Sequence, residues 1–460
     1  MRDTVFKANE VRNKMMKVCS DFEQTNVEYQ NVSSNPDNQL SISVVAVDHD
    51  WYRARVPYKH LGDSNGTVNI CCYPRSKQIF VINDSKFIII PKVIDDNVFP
   101  IIKELAEKNN SLIIFDLDDN YHHGDKENPN YHFYDENLEQ GQHNRAVLEK
   151  TIKSSDFIFY STRELMAYYK HLNPNCMFFP NYLDIKDRYI FDKKFDWREY
   201  AKSQGCNVDE NSIIIGFFGS SSHVVDLNQI MEPLIQILRE YDNVFFGLLC
   251  EFDLAMNVCL RNHKVPSNKL VYFDCKSYLD YPFILSSFDI GLAPVSNTIF
   301  GRCKSPLKLI EYGALSIPYV ASKVANNQRF HIESEGVGGF IAKKQDDWYL
   351  HLKKLIDDHH LRKSMGEKLK DFVYSQYDVT HSLMPLVDTF DTIYYNKKRR
   401  FNHPTPYDLA DCYDGIPEVK TQYTKEDFCP CGSGDRYIKC KNDCYPAWGF
   451  VEDKVEHHPV

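Results

Sequence analysis

The sequence predicts an α/β protein built from two doubly wound domains and a small C-terminal module. Short apolar segments alternate with helix-like segments along most of the chain, and a charged, irregular stretch at residues 185–212 interrupts them once. Apolar runs separated by helices are typical of βαβ units around a buried parallel sheet. Four of the 14 cysteines fall between Cys429 and Cys444, which indicates a separate local structure there.

The composition is that of an ordinary folded protein. Of the 460 residues, 43% are hydrophobic and 26% are charged. With 54 basic and 64 acidic residues the net charge is −10, which gives no overall electrostatic attraction to nucleic acid. The chain contains no apolar run of membrane-spanning length and no apolar signal segment near its start. We therefore expect a cytoplasmic protein, and association with a membrane surface stays open.

Residues 1–40 are polar and predict an N-terminal extension, whereas residues 41–195 predict the first Rossmann-like domain. Its clearest helices are Val98–Lys108 and Thr162–Leu172. The apolar runs that predict its strands are Ser41–Val47, Val68–Cys72, Gln78–Ile82, Phe87–Ile90, Leu112–Phe115, Phe157–Tyr160 and Met177–Phe179.

Residues 210–378 predict the second domain, in which the alternation is cleaner. Apolar residues recur at helical spacing from Leu227 to Leu238, and again in a last helix within residues 379–400. A linker is expected at 401–428. The predicted strands of this domain are Ile213–Phe218, Val244–Leu249, Leu270–Phe273, Asp289–Ala293, Pro318–Ala321 and Gly339–Ala342.

A glycine–serine turn follows the first strand of the second domain. Ile213–Phe218 runs into Gly219, Ser220, Ser221 and His223, and a helix starts shortly afterwards. Glycine allows close approach of the backbone, serine hydroxyls donate hydrogen bonds, and a helix start carries partial positive charge. The turn can therefore hold a phosphate, although an ordinary strand-to-helix connection gives the same pattern.

Two lysines and a glutamate are spaced so that they would share one face if the segment were helical. Lys304 and Lys308 are four residues apart, and Glu311 follows three residues later. Two cations suit a diphosphate, and a carboxylate suits the hydroxyl groups of a ribose. An ordinary surface Lys–Glu pair remains the alternative from the residue types alone.

Together these segments resemble the donor-binding domain of family 4-like glycosyltransferases with the GT-B fold. The similarity runs from Ile213 to Tyr377 and rests on the segments GSSSHVVDL, FDIGLAPV and CKSPLKLIEYGALSIPYVAS and on the turn Gly336–Phe340. It is weaker over Ser41–Tyr182. The resemblance implies two facing Rossmann-like domains, a nucleotide-sugar donor, and transfer with retention of configuration and without a metal. It also implies that the last helix crosses back to brace the two domains.

The same resemblance implies roles for individual residues. Glu311 matches the second glutamate of the family's paired motif, which holds the donor ribose, whereas the first glutamate of that motif is replaced by Cys303. The Arg/Lys pair that commonly binds the diphosphate is not plainly present, and Lys304 or Lys308 can substitute for it. The implied donor-binding residues are Gly219, Ser220, Ser221, His223, Lys304, Ser305, Lys308 and Glu311.

Three carboxylates end a predicted strand of the first domain. Asp116, Asp118 and Asp119 lie in the segment LIIFDLDDN, and His122 follows it. Similar stretches lie near the cleft in GT-B relatives, so Asp118, Asp119 and His122 are our candidate catalytic residues, for acceptor contact or acid–base chemistry. Two alternatives stay open: helix capping and solvation at the strand end, or a metal-binding Asp-x-Asp pair of the GT-A type formed by Asp116 and Asp118.

The cysteine cluster at residues 429–445 resembles a SEC-C zinc module. A Cys-x-Cys turn with Gly-Ser-Gly can fold around a zinc ion, and a segment this short needs the metal for stability. The usual fourth ligand position is occupied by Lys441 here, so Cys444 is the nearest replacement, with His457 or His458 as alternatives. Free or disulfide-linked cysteines are the alternative. The expected ligands of a structural zinc are Cys429, Cys431, Cys440 and Cys444.

The leading hypothesis is a glycosyltransferase that uses a nucleotide sugar. Its acceptor, whether glycan, lipid-linked glycan, protein or nucleic acid, is not identified by the sequence. One alternative is a non-catalytic nucleotide- or sugar-binding scaffold whose zinc module binds a protein partner, which the replacement at Cys303 favours. A second alternative is a glycosyltransferase that modifies DNA or nucleotides, which the net charge of −10 disfavours.

Overall fold

The computed structural model describes residues 40–47, 51–73, 85–92, 95–124, 126, 131–250, 254–274 and 281–402. Several expectations fall outside these residues and stay predictions. They are the N-terminal extension, the strand Gln78–Ile82, nearly all of the linker 401–428, and the zinc module with Cys429, Cys431, Cys440 and Cys444.

The first half of the described chain forms a six-stranded parallel sheet with the order β2-β1-β3-β4-β5-β6. Its central strands are buried on both faces, as a sheet covered by helices requires, and are apolar apart from Asp116. The strands are β1 (Leu40–Val47), β2 (Gly66–Tyr73), β3 (Phe87–Pro91), β4 (Leu112–Leu117), β5 (Phe157–Tyr160) and β6 (Cys176–Phe178).

The second half forms another six-stranded parallel sheet, with the order β12-β11-β10-β7-β8-β9. Two parallel sheets covered by helices confirm the predicted α/β class with two Rossmann-like domains for the described residues. The strands are β7 (Ile213–Phe218), β8 (Val244–Cys250), β9 (Leu270–Asp274), β10 (Ile290–Ala293), β11 (Tyr319–Ser322) and β12 (Gly339–Ala342).

Helices connect the strands and cover the sheets. A π-helical turn (Trp51–Arg55) precedes the first helix, and three 3₁₀ turns relevant below are Tyr121–His123, Tyr131–Phe133 and Ser221–His223. The α-helices are α1 (Val56–Asn65), α2 (Val98–Asn109), α3 (Glu139–Ser154), α4 (Arg163–Tyr169), α5 (Ile185–Arg188), α6 (Trp197–Ser203), α7 (Val224–Asn228), α8 (Met231–Glu240), α9 (Leu254–Asn262), α10 (Tyr281–Leu285), α11 (Ile299–Cys303), α12 (Leu307–Ala314), α13 (Ala325–Glu333), α14 (Gln345–Asp357), α15 (His359–Gln376) and α16 (Thr380–Asn402).

The stretch at residues 185–212, predicted to be irregular, is partly helical. It packs against the second sheet; each sheet with its helices is called a unit below. Trp197 lies against Phe245 with 5.8 Å between ring centroids, and Tyr200 stacks on Phe273 at 5.3 Å. Trp197 and Tyr200 are buried in the same apolar cluster as β8 and β9. The charged residues of this stretch mask that aromatic pattern in the sequence.

The last helix returns to the first sheet. Helix α15 packs on α12 of the second unit, whereas α16 buries Leu386, Phe390 and Ile393 against the first sheet. The ring of Phe390 lies 4.8 Å from that of Phe87 in β3. Where the chain crosses, Val379 N donates to Leu183 O at 2.8 Å. The chain thus passes from the second unit back onto the first sheet, and the bracing role of this helix stays a prediction.

The strand orders locate the sites where a ligand can bind. In the second sheet, β8 lies on one side of β7 and β10 on the other, so the loops after β7 and β10 diverge. Ligands of doubly wound sheets bind in the crevice at such a point, beyond the carboxyl ends of the strands. Among the described helices, none has both the length and the apolar character to span a membrane.

Candidate functional site

The turn after β7 approaches a lysine of α12 closely. Gly219 has a φ angle of +155°, and a Cβ atom there would lie 2.9 Å from Cδ2 of His223 and 3.5 Å from Nζ of Lys308. A side chain at this position would therefore be strained and would displace the ring of His223, while Lys308 would lie in ordinary van der Waals contact with it. Glycine lets the backbone of the turn and the lysine ammonium lie side by side, as a phosphate site requires.

A histidine and an aspartate hold this lysine in place. Nδ1 of His223 lies 2.8 Å from Oδ2 of Asp226, and Nε2 of His223 lies 3.2 Å from Nζ of Lys308. Burial, with the positive charge of Lys308, lowers the pKa of His223 to about 4, so the ring is neutral. A carboxylate can only accept, so Nδ1 carries the proton and Nε2 accepts from the ammonium.

The ammonium of Lys308 lacks a carboxylate partner among the described residues and is largely desolvated. Its other contacts are with the aromatic rings of Phe217 and Phe218, at 5.7 and 5.3 Å. Burial, helped by repulsion from Lys304, lowers its pKa to about 8. A partly desolvated cation beside a glycine turn is well suited to an anionic ligand.

Lys304 joins the second unit to the first. Its Nζ lies 2.8 Å from Oδ1 of Asp119, just beyond the carboxyl end of β4. The neighbouring Asp118 forms an ion pair with Lys92, while its Oδ1 is buried without a hydrogen-bond partner among the described residues. Burial raises the pKa of Asp119, and Lys304 opposes that shift. Asp118 and Asp119 thus lie where the two units meet.

Asp116 belongs to a buried network and does not fit the GT-A alternative. Both of its oxygens accept from Arg53, at 2.8 and 3.0 Å, and both residues are fully buried. Arg53 also donates to Phe179 O at 2.7 Å and to Oδ1 of Asn181 at 3.1 Å. With both carboxylate oxygens held by a guanidinium, Asp116 is not arranged to share a metal with Asp118.

Glu311 lies one turn after Lys308 and is completely buried. Its Oε1 accepts hydrogen bonds from the hydroxyl groups of Tyr52 and Tyr189, the latter at 2.8 Å, whereas Oε2 has no partner among the described residues. Burial raises the pKa of Glu311 to about 7. Tyr281 hydrogen-bonds to both tyrosines and stacks on Phe218, the ring that Lys308 also contacts. Phe218 therefore connects the lysine and glutamate parts of the site.

The loop between α11 and α12 is anchored on the first unit. Ser305 Oγ accepts from Nδ2 of Asn181 at 3.1 Å, and Thr162 Oγ1 donates to Cys303 O at 2.9 Å. The thiol of Cys303 is buried and accepts from Nδ2 of Asn120 at 3.5 Å. Burial raises the pKa of this thiol to about 12. Cys303 is thus a neutral packing residue where the family pattern has a charged one.

The remaining candidates are Ser220, Ser221 and His122. Ser220 is exposed and its hydroxyl pairs with that of Ser222 at 2.6 Å, and Ser221 begins the 3₁₀ turn. His122 packs on Tyr169, with 5.2 Å between ring centroids, and its Nε2 has no partner among the described residues. Burial, together with the charge of Arg145, lowers the pKa of His122 to about 4.

Several residues of the site are not among the predicted donor-binding or catalytic residues. Asp226 follows His223 at a spacing of three residues, which is a helical-neighbour signal that can be found in the sequence. Tyr52, Tyr189 and Asn181 reach Glu311 or Ser305 across 259, 122 and 124 residues, and nothing in the local sequence reveals such contacts.

Comparison with known proteins shows similarity in structure only. No family model and no curated protein matches the sequence. Among solved structures, Anabaena HepE in complex with UDP has a TM-score of 0.53 at 12% identity, covering 76% of this chain and 100% of its own. Sucrose-phosphate synthase from Thermosynechococcus elongatus has a TM-score of 0.54 at 11% identity, covering 78% and 100%.

WaaG, a glycosyltransferase involved in lipopolysaccharide biosynthesis, has a TM-score of 0.51 at 11% identity, covering 74% of this chain and 98% of its own. The alignments with these three structures each cover roughly three quarters of this chain and nearly all of the other one. The described residues of this chain therefore have the GT-B fold.

Proposed function

We propose that this chain is a glycosyltransferase that transfers a sugar from a nucleoside-diphosphate donor. The observation that carries the proposal is the convergence of the Gly219 turn, Lys308 and Lys304 at the divergence of the loops after β7 and β10. A UDP-sugar is the first donor to test, because HepE, which has the same fold, was solved with UDP and with UDP-glucose.

Departure of the diphosphate is the step that the site is built to assist. In this proposal the phosphates lie against the backbone of the turn at Gly219, and Lys308 and Lys304 neutralise the charge that develops on the leaving group. Because these cations are fixed before the donor binds, little reorganisation accompanies the reaction. Retention of configuration and independence of metal are carried over from the family resemblance.

Glu311 would hold the donor ribose through its Oε2 atom. Its Oε1 already accepts from two tyrosines, while Oε2 is buried and has no partner among the described residues. Tyr52 belongs to the first unit, so a slight separation of the two units would uncover the carboxylate. One ribose hydroxyl would then replace the Tyr52 hydroxyl on Oε1, and the neighbouring ribose hydroxyl would donate to Oε2. This step would couple donor binding to the spacing between the units.

The acceptor would enter from the first unit. Asp118 and Asp119 lie at its edge, and the unpartnered Oδ1 of Asp118 provides a hydrogen-bond acceptor there. His122, neutral and with Nε2 unpartnered, can accept a proton but lies among Tyr168 and Tyr169. We propose Asp118 and Asp119 for contact with the acceptor, and His122 as an alternative base.

The test is release of nucleotide from UDP-, GDP- and ADP-sugars by the purified full-length chain, with and without EDTA. Turnover of at least one donor is expected, with unchanged rate in EDTA and loss in Lys308→Met. The exposed Lys344→Met serves as control. Activity that disappears in EDTA and returns with Mg²⁺ would contradict metal independence.

A binding scaffold is the second candidate, favoured by the neutral Cys303 at the position of a family glutamate. Binding of a nucleotide without turnover of any donor, in the presence of glycan, peptide and lipid-linked acceptors, would favour it over the enzyme.

A further inference from the structure

The contacts of Lys308 extend beyond the proposed diphosphate site to a second layer of residues. Asp226 is buried at the start of α7. Its Oδ1 accepts from the backbone N–H of Ser296 at 2.7 Å and from the hydroxyl of the same residue at 2.9 Å, and its Oδ2 faces His223. The carboxylate thus joins the loops after β7 and β10, the two loops that diverge at the proposed site.

This arrangement gives each oxygen of Asp226 a fixed role. The backbone N–H of Ser296 can only donate, so the Oδ1 position must be an acceptor. Oδ2 then receives the proton on Nδ1 of His223, which leaves Nε2 to accept from Lys308. A chain of three hydrogen bonds therefore runs from the backbone of Ser296 to the lysine ammonium.

We propose that Asp226 and His223 are positioning residues that hold Lys308 beside the Gly219 turn, and that binding of a nucleoside diphosphate there takes up a proton on Lys308. The inference rests on the proposed function, since it concerns the same diphosphate site. It adds an account of how Lys308 is oriented, and it predicts that proton uptake accompanies nucleotide binding.

The direction of proton uptake follows from the groups that face Lys308. His223 and Asp226 face it from α7 and the turn before it, Lys304 faces it from the loop before α12, and Asp119 faces it from the first unit. Burial, with Lys304, lowers the pKa of Lys308 to about 8, so the free protein loses this proton above that pH. A diphosphate in contact with the ammonium raises its pKa again.

The terminal phosphate of UDP contributes little over this range, because with a second pKa of about 6 it is almost fully ionised above pH 7.5. Ionisation of the uracil ring near pH 9 is common to wild type and Lys308→Arg and cancels in their difference. His223 does not titrate there either, since its pKa is about 4. We expect close to one proton taken up per UDP bound at pH 9 and close to none at pH 7.

The experiment is titration calorimetry of the full-length chain with UDP, at pH 7 to 9 and in buffers of different ionisation enthalpy. Lys308→Arg keeps a cation that stays protonated, so it should bind UDP without proton uptake at pH 9. In Asp226→Asn, the backbone N–H of Ser296 still requires an acceptor, so the side-chain carbonyl of the asparagine takes the place of Oδ1. The amide NH₂ then takes the place of Oδ2 and faces Nδ1 of His223. His223 must then carry its proton on Nε2, facing Lys308.

Asp226→Asn should therefore weaken UDP binding roughly tenfold at pH 7.5, in line with the loss of a hydrogen bond to a charged group. Its proton uptake should begin at lower pH, because the negative charge that supports protonated Lys308 is gone. The exposed Asp346→Asn is the matched control and should behave as wild type. In a second pair, His223→Gln supplies an amide oxygen for Lys308 and should bind UDP more tightly than His223→Leu. Melting curves without ligand show whether each variant is folded.

The outcomes separate the two proposals. UDP binding by wild type without proton uptake, or with uptake that persists in Lys308→Arg, would overturn the inference and leave the proposed function standing. A wild-type affinity and pH profile in folded Asp226→Asn, or equal binding by His223→Gln and His223→Leu, would also overturn it. Failure of the wild-type chain to bind UDP, GDP or ADP would overturn the proposed function itself.

Discussion

The variant Glu311→Gln should make the free protein more stable at alkaline pH while removing its response to nucleotide. Glu311 is fully buried and its pKa is raised from 4.5 to about 7. The folded protein therefore binds this proton more tightly than the unfolded chain does. The stability that it contributes is complete below pH 4.5 and is lost as the pH rises through 7.

The size of this effect follows from the shift. A change from 4.5 to about 7 corresponds to about 3 kcal/mol in the free energy of unfolding between acid and alkaline pH. Glutamine is neutral at every pH and avoids this loss, but its amide N–H at the Oε2 position lacks a partner and costs about 1 kcal/mol. We expect a net stabilisation of about 2 kcal/mol at pH 8.5, which is roughly 4–8 °C in melting temperature for a domain of this size.

The assay is thermal unfolding of wild type and Glu311→Gln from pH 5 to pH 8.5, with and without UDP. The difference in melting temperature should grow with pH and change sign near the acid end, where the wild-type carboxyl is protonated. UDP should raise the melting temperature of wild type only. The exposed Glu367→Gln should follow wild type throughout. A difference between Glu311→Gln and wild type that does not depend on pH would refute the reasoning about the buried carboxyl.

Three further predictions concern variants of Arg53, Tyr52 and Cys431. Arg53→Leu leaves Asp116 buried without its ion-pair partner and should lower the free energy of unfolding, measured by chemical denaturation, by about 3–5 kcal/mol. Adding Asp116→Leu should restore part of that stability. A loss below about 1 kcal/mol in the single variant would contradict this. Tyr52→Phe removes the hydroxyl that hydrogen-bonds to Glu311, so calorimetry should show UDP binding about three- to tenfold tighter. Weaker binding would count against the proposal that a ribose hydroxyl replaces that of Tyr52. The full-length chain should contain one zinc ion by elemental analysis and lose it in Cys431→Ser; equal zinc content in both would contradict the ligand assignment.

The sequence was sufficient for the fold because buried parallel strands leave a strong apolar signal. All four residues of Phe157–Tyr160 are buried and form a strand with the predicted bounds, and Ile213–Phe218 likewise coincides with its prediction. The proposed donor-binding pair Lys308 and Glu311 could equally be predicted from the sequence, since both residues lie within one helix whose geometry fixes their spacing.

The contacts between the units could not be predicted from the sequence, because they depend on how two separately folded sheets face each other. Nothing near Asp116 indicates that Arg53 will neutralise it, and nothing near Glu311 indicates that Tyr52 will cover it. The sequence also gave no sign that Cys303 would be buried against Asn120 of the other unit. Such pairings arise only after the strand order is set, so residue type and spacing do not encode them locally.

The central claim is that the second unit binds a nucleoside diphosphate between the turn at Gly219 and helix α12. A crystal structure of the full-length chain with UDP tests it most directly. We predict density for the diphosphate within hydrogen-bond distance of Lys308 and the backbone at Gly219, with the ribose on Glu311. UDP bound elsewhere on the chain, with Lys308 still bonded only to His223 and Glu311 still covered by Tyr52, would contradict it.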